Sequence, residues 1–113
     1  PEPGRTQERM VRTTVRTTKQ ERHAEICAEL NEIYGRKNAD YGDSFGETFR
    51  KLGVISAVTR ITDKVNRLQS LCVRAAQVED ESIRDTLLDL ANYAVMSVIE
   101  LERSNTSETE DTK

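Results

Sequence analysis

DTLLDLANY, residues 85–93, is the stretch whose reading decides the fold. At about 100° per residue, Asp85, Asp89 and Asn92 fall on one line along a helix, while Leu87, Leu90 and Ala91 fall on another. Followed in both directions, the apolar line takes in Ile83, Ala94, Val98 and Leu101. It predicts a helix from near Asp80 or Ser82 to about Arg103 with that line as its core stripe. Leu88, Met96 and Ile99 flank the polar line, which is therefore no ordinary solvated face. A polar strip set among apolar residues should meet a partner helix, a ligand or another subunit.

RITDKVNRL (60–68) belongs to a second long helix, predicted from about Val54 to Ala75. Val54, Val58, Ile61, Val65, Leu68 and Cys72 alternate spacings of four and three, the pattern of a coiled-coil seam. Arg60, Asp63, Lys64 and Arg67 share a different face. A further helix is predicted from roughly Lys19 to Tyr34, with Ile26, Leu30 and Ile33 as its apolar line and Gly35 ending it. KNADYGDSFGETF (37–49) reads as a loop, in which Asp43 or Ser44 caps a short helix running to about Leu52. The predicted fold class is all-α, with three long helices and a short one after DYGDSF.

Composition bounds this reading. The chain has 113 residues, 35% hydrophobic and 33% charged, and a net charge of −3. That suits one domain with a modest core, and apolar faces this numerous should be shared in a homodimer or homotetramer. The net charge gives a general nucleic-acid-binding role no electrostatic support. No apolar run of about 18 residues is present, so no membrane span is expected. No signal-peptide pattern is visible, and the chain starts at Pro1, so its natural start is expected to lie upstream or to be processed. Cys27 and Cys72 lack metal-ligand spacing and read as small buried hydrophobes in a reducing cytoplasm. His23 stands without a partner motif. Residues 1–18, with Arg5, Arg9, Arg12 and Arg16, form a basic arm. Residues 19–103 form the domain, and 104–113 an acidic tail expected to be disordered.

Two clusters carry chemistry. Asp85 and Asp89, one turn apart, can converge on a cation, and Asp63 from the facing helix would complete a site for Mg²⁺, which favours carboxylate oxygens, water and phosphate. Arg60, Lys64 and Arg67 around Asp63 suit phosphate. The same residues are equally compatible with interhelical salt bridges. In the loop, Lys37, Asp40, Tyr41, Ser44 and Phe45 place a cation, an acid, hydroxyls and rings close together, a set suited to sugar, phosphate and base. A structural loop, with Tyr41 and Phe45 plugging the core and Asp40 capping a helix, is the competing reading. Glu29-x-x-Glu32 is a further acidic pair, readable as a solvated face.

KNADYGDSF (37–45), RITDKVNRL (60–68) and DTLLDLANY (85–93), in that order, resemble the nucleotide-modification-associated domain of phage and bacterial proteins. That family is similar to the MazG-like all-α nucleoside triphosphate pyrophosphohydrolases. The resemblance implies a helical bundle completed by oligomerisation, a nucleotide pocket and Mg²⁺. It implies that Asp63, Asp85 and Asp89 are metal-holding catalytic residues, and that a nucleoside triphosphate is cleaved to monophosphate and pyrophosphate. Lys37, Asp40, Tyr41, Ser44, Arg60, Lys64, Arg67 and Asn92 would bind the nucleotide. The chain departs from the pyrophosphohydrolase pattern: their Glu-x-x-Glu pair is reduced to Asp63, and their Glu-x-x-Asp pair to Asp89-x-x-Asn92. A non-catalytic nucleotide-binding module and a purely structural helical oligomer are the alternatives.

Overall fold

The computed structural model describes residues 17–74 and 80–111, with residue 80 and residues 106–111 as backbone only. These residues form four helices and no strand: α1 (Lys19–Tyr41), α2 (Ser44–Leu52), α3 (Val54–Val73) and α4 (Asp80–Asp111). The fold is all-α, as expected. Most of the basic arm (1–16) and Ala75 lie outside the described residues. The described residues divide into two compact units between Ile33 and Tyr34.

In the first unit, Thr18 and Glu21 close the start of α1 reciprocally. The Thr18 N–H donates to Glu21 Oε1 at 2.9 Å, and the Glu21 N–H donates to Thr18 Oγ1 at 3.0 Å. This capping box satisfies backbone groups that have no intrahelical partner. His23 Nδ1 lies 3.7 Å from Cys27 Sγ one turn later. Both cysteines are exposed, which corrects the expectation of buried thiols. Cys27 sits in a helix with no buried residue, and beside Cys72 it is Leu71 that takes the inward position.

Helix α1 runs through Gly35 to Tyr41, beyond the expected end at Tyr34. A mid-helix glycine costs about 1 kcal/mol, which the good helix formers around it (Arg36, Lys37 and Ala39) offset. The stop comes at Gly42, whose φ of 68° is left-handed and whose N–H donates to the Asn38 carbonyl at 2.8 Å. The expected 37–49 loop therefore shrinks to Gly42 and Asp43. Gly53, at φ 81° and ψ −168°, separates α2 from α3 in a conformation essentially reserved for glycine.

In the second unit α3 packs along α4, and α2 lies against both. The inward line of α3 is Ala57, Ile61, Lys64, Leu68 and Leu71; Ala57 and Leu71 are buried and the rest half-buried. This seam is turned from the predicted one, of which Val54, Val58, Val65 and Cys72 are exposed. The same rotation affects α4. Leu87, Ala94, Val98 and Leu101 of the predicted core stripe are exposed, whereas Thr86, Ser97 and Glu100 are buried. Both faces repeat at the helical period, so periodicity alone does not choose between them. Local hydrogen bonding lets the polar face turn inward. Thr86 Oγ1 donates to the Ser82 carbonyl at 2.8 Å, and Ser97 Oγ to the Tyr93 carbonyl at 2.7 Å. Hydroxyls satisfied on their own helix can be buried without an outside partner. Backbone continues helically past the expected end at Arg103 to Asp111, and residues 112–113 lie outside the described residues. Among the described residues no helix is long and apolar enough to cross a membrane.

The Glu21 carboxyl is held below the usual glutamate range, first by the Thr18 backbone N–H and then by the Thr18 hydroxyl. A depressed folded-state value means that the cap is fully in place above the ordinary glutamate pKa and is lost as pH falls through the depressed one. Hydrogen exchange in the first turn of α1 should show an extra acceleration across that acidic window. Glu21→Ala should abolish the step.

Candidate functional site

Asp89, half-buried on α4, is where three helices meet. Lys37 Nζ, from the last turns of α1, donates to Asp89 Oδ1 at 3.1 Å. Lys64 Nζ, on the inward line of α3, donates to Asp89 Oδ2 at 3.2 Å. One carboxylate thus bridges two ammonium groups. Arg60 lies one turn before Lys64, on the same face of α3, and lines the adjoining cavity. Cations therefore outnumber acids around Asp89.

The cavity has a volume of about 400 Å³, within the range of small-molecule sites. Lys37, Arg60 and Asp89 line it, together with the rings of Tyr34, Tyr41, Phe45 and Tyr93. Phe45 and Tyr93 stack with centroids 5.8 Å apart and planes at 29°. Phe45 is backed by the buried Phe49, 6.4 Å away. Asp43 and Glu100 also line the cavity. Arg50 lies between them, with Nη2 3.5 Å from Asp43 Oδ2 and Nη1 3.8 Å from Glu100 Oε1. Gly46 leaves room for this arrangement: a Cβ there would sit 2.5 Å from Asp43 Oδ1.

Of the predicted site residues, Lys37, Tyr41, Ser44, Arg60, Asp89 and Asn92 line the cavity. Lys64 joins them through Asp89. Asp40, Asp63, Arg67 and Asp85 are exposed and are not among the lining residues. The expected magnesium ligands are not brought together. Among the described residues no three His, Cys, Asp or Glu side chains are grouped to hold a metal ion. Lys64 takes the inward position on α3, which leaves Asp63 about 100° round the helix. Asp89 already has a cation on each oxygen, and Asp85 stays exposed. This donor set does not fit Mg²⁺, which needs several free oxygen ligands.

Tyr34, Asp43, Tyr93, Met96 and Glu100 were not predicted as site residues. For the α4 members a signal exists: Asp89, Asn92, Tyr93, Met96 and Glu100 recur at three- and four-residue helical spacing. The polar line continues beyond Asn92, through two hydrophobic positions, to a final carboxylate.

A family model described as Nucleotide modification associated domain 1 matches residues 37–101, from Lys37 to just past Glu100. No curated protein and no solved structure matches the chain.

Truncating Asp89 leaves Lys37 and Lys64 facing each other without their shared counter-ion. Lys37 is more than half exposed, so the more enclosed Lys64 bears most of the loss. Asp89→Ala should lower stability by about 1–3 kcal/mol, between the values for exposed and buried pairs. The melting temperature in phosphate-free buffer should fall by roughly 4–8 °C per kcal/mol. An unchanged or raised midpoint would show that repulsion, not pairing, dominates at Asp89.

Proposed function

We propose that this chain, which belongs to the Nucleotide modification associated domain 1 family, binds a nucleotide in its cavity. The observation that carries this reading is the pairing of Lys37 and Lys64 on one carboxylate beside a ring-lined cavity that Arg60 also lines. Each ammonium has three donors, and Asp89 engages only part of that capacity, so phosphate oxygens can be added without releasing the lysines. Phe45 and Tyr93 offer faces for a base. Tyr41, Ser44 and Asn92 supply hydroxyl and amide groups suited to a sugar.

The reading stops at binding. Pyrophosphohydrolysis of the MazG-like kind would need grouped carboxylates, and Asp63, Asp85 and Asp89 are not grouped. In this arrangement phosphate charge is met by side-chain cations. Self-association is a second part of the proposal. Val54, Val58 and Val65 on α3, and Leu87, Val98 and Leu101 on α4, are exposed large hydrophobics. Two apolar helix faces of this kind support a homodimer or homotetramer.

Thermal shift with a panel of nucleoside mono- and triphosphates in EDTA should show a rise in melting temperature for at least one of them, by mass action. Lys37→Ala and Lys64→Ala should each weaken that ligand by about 10–100-fold, the worth of one charge-assisted hydrogen bond. A flat response to every nucleotide, with and without Mg²⁺, would overturn the nucleotide reading. Sedimentation at micromolar concentration should give a species larger than one chain. A stable monomer would leave the exposed stripes without an occupant and refute self-association.

A further inference from the structure

The cavity has a second charged end. Glu100 is only 8% exposed and lines the wall from α4, three turns past Asp89, roughly 16 Å along the axis. Its ion-pair partner, Arg50, is 3.8 Å away, too long for a hydrogen bond, so the acceptor capacity of the carboxylate is not taken up by that contact. Burying a charge is costly unless donors meet it. Asp43 and Glu100 against Arg50 leave this end with one negative charge in excess, opposite to the end around Asp89.

Helical side chains lean back toward the N-terminus, so Glu100 leans toward Met96 and Tyr93. A base stacked on the Phe45–Tyr93 pair, with its phosphates toward Lys37 and Lys64, would turn its far edge to Glu100. We propose that Glu100 reads that edge and selects guanine. This inference rests on the nucleotide reading above. An ionised carboxylate can only accept. Guanine offers it two adjacent donors, N1–H and the N2 amino group. The amino group of adenine or cytosine is flanked by a ring-nitrogen acceptor, and the N3–H of uracil or thymine by two carbonyls. Each of these would set a lone pair against a carboxylate oxygen. A site built around a buried acceptor rejects a ligand that cannot donate to it far more strongly than a hydrophobic pocket rejects a misfit.

Isothermal titration of the full chain with GTP, ITP, ATP, CTP and UTP in EDTA tests this. GTP should bind about 100-fold tighter than ATP, CTP or UTP. ITP keeps N1–H but lacks the N2 amino group and should fall about 10-fold below GTP. Glu100→Gln, checked for folding by circular dichroism, should bring GTP down to the level of ATP. Triphosphates that bind without a preference for GTP, or a preference that survives Glu100→Gln, would overturn the assignment and leave the nucleotide reading standing. If no triphosphate binds, the guanine assignment falls, and the nucleotide reading falls with it only if the monophosphates also give no thermal shift. If the variant does not fold, the GTP–ITP comparison on the wild type decides alone, and equal affinities overturn the proposal.

Discussion

A single carboxylate held between two lysines sets the rotation of the helices in the second unit. Asp89 can reach Lys64 only if the polar line of α4 turns toward α3, and Lys37 reaches the other oxygen only because α1 continues past Gly35. Such a pair is a weak source of net stability, since desolvation offsets attraction. It is nonetheless selective, because any other rotation leaves Asp89 or Lys64 unpaired in a half-buried seam. Two cations on one acid also leave positive charge in excess, so the strut carries a residual field into the cavity.

Turning the polar line inward has a consequence for the rest of the surface. Phe49, Ala57 and Leu71 are the buried hydrophobic residues among those described, and large side chains such as Ile55 and Val98 lie outside. At about 1.5–3 kcal/mol for each fully buried large side chain, so few supply little against chain entropy. The same rotation that builds the cavity thus leaves apolar stripes on α3 and α4 for which the proposed self-association provides cover.

Much of the fold is legible in the sequence, down to particular punctuation. The α2–α3 junction falls between Leu52 and Val54, where the two expected helices end and begin, and the all-α class follows from helical periodicity. The resemblance carried by residues 37–45, 60–68 and 85–93 agrees with the family match over 37–101. The observed loop is shorter than the expected 37–49 because Gly35, Gly42 and Gly46 look alike in sequence. Only Gly42 among them adopts positive φ, while Gly35 lies inside α1 and Gly46 inside α2. Helix rotation was not legible. Val54–Val58–Val65 and Ala57–Lys64–Leu71 are both regular seams, and the choice depends on pairs such as Lys64–Asp89 that join distant positions. For the same reason spacing leaves Asp63, through a shared cation, and Lys64, through an ion pair, as equal candidates for the neighbour of Asp89. Spacing fixes which residues share a face on one helix, not which residue of the opposite helix meets them.

The distribution of acids and bases explains why binding is a better-supported reading than hydrolysis. Asp89 faces two lysines, and Asp43 and Glu100 face Arg50. The lining carboxylates thereby face cations of the protein, and Asp89 and Glu100 are separated along α4. A metal-assisted phosphoryl site has the reverse arrangement, with carboxylates crowded until a divalent ion relieves their repulsion. Here positive charge gathers at one end of the cavity, rings line its wall, and negative charge is in excess at the other end. The complementary ligand is anionic at one end, flat in its body and rich in hydrogen-bond donors at its far edge.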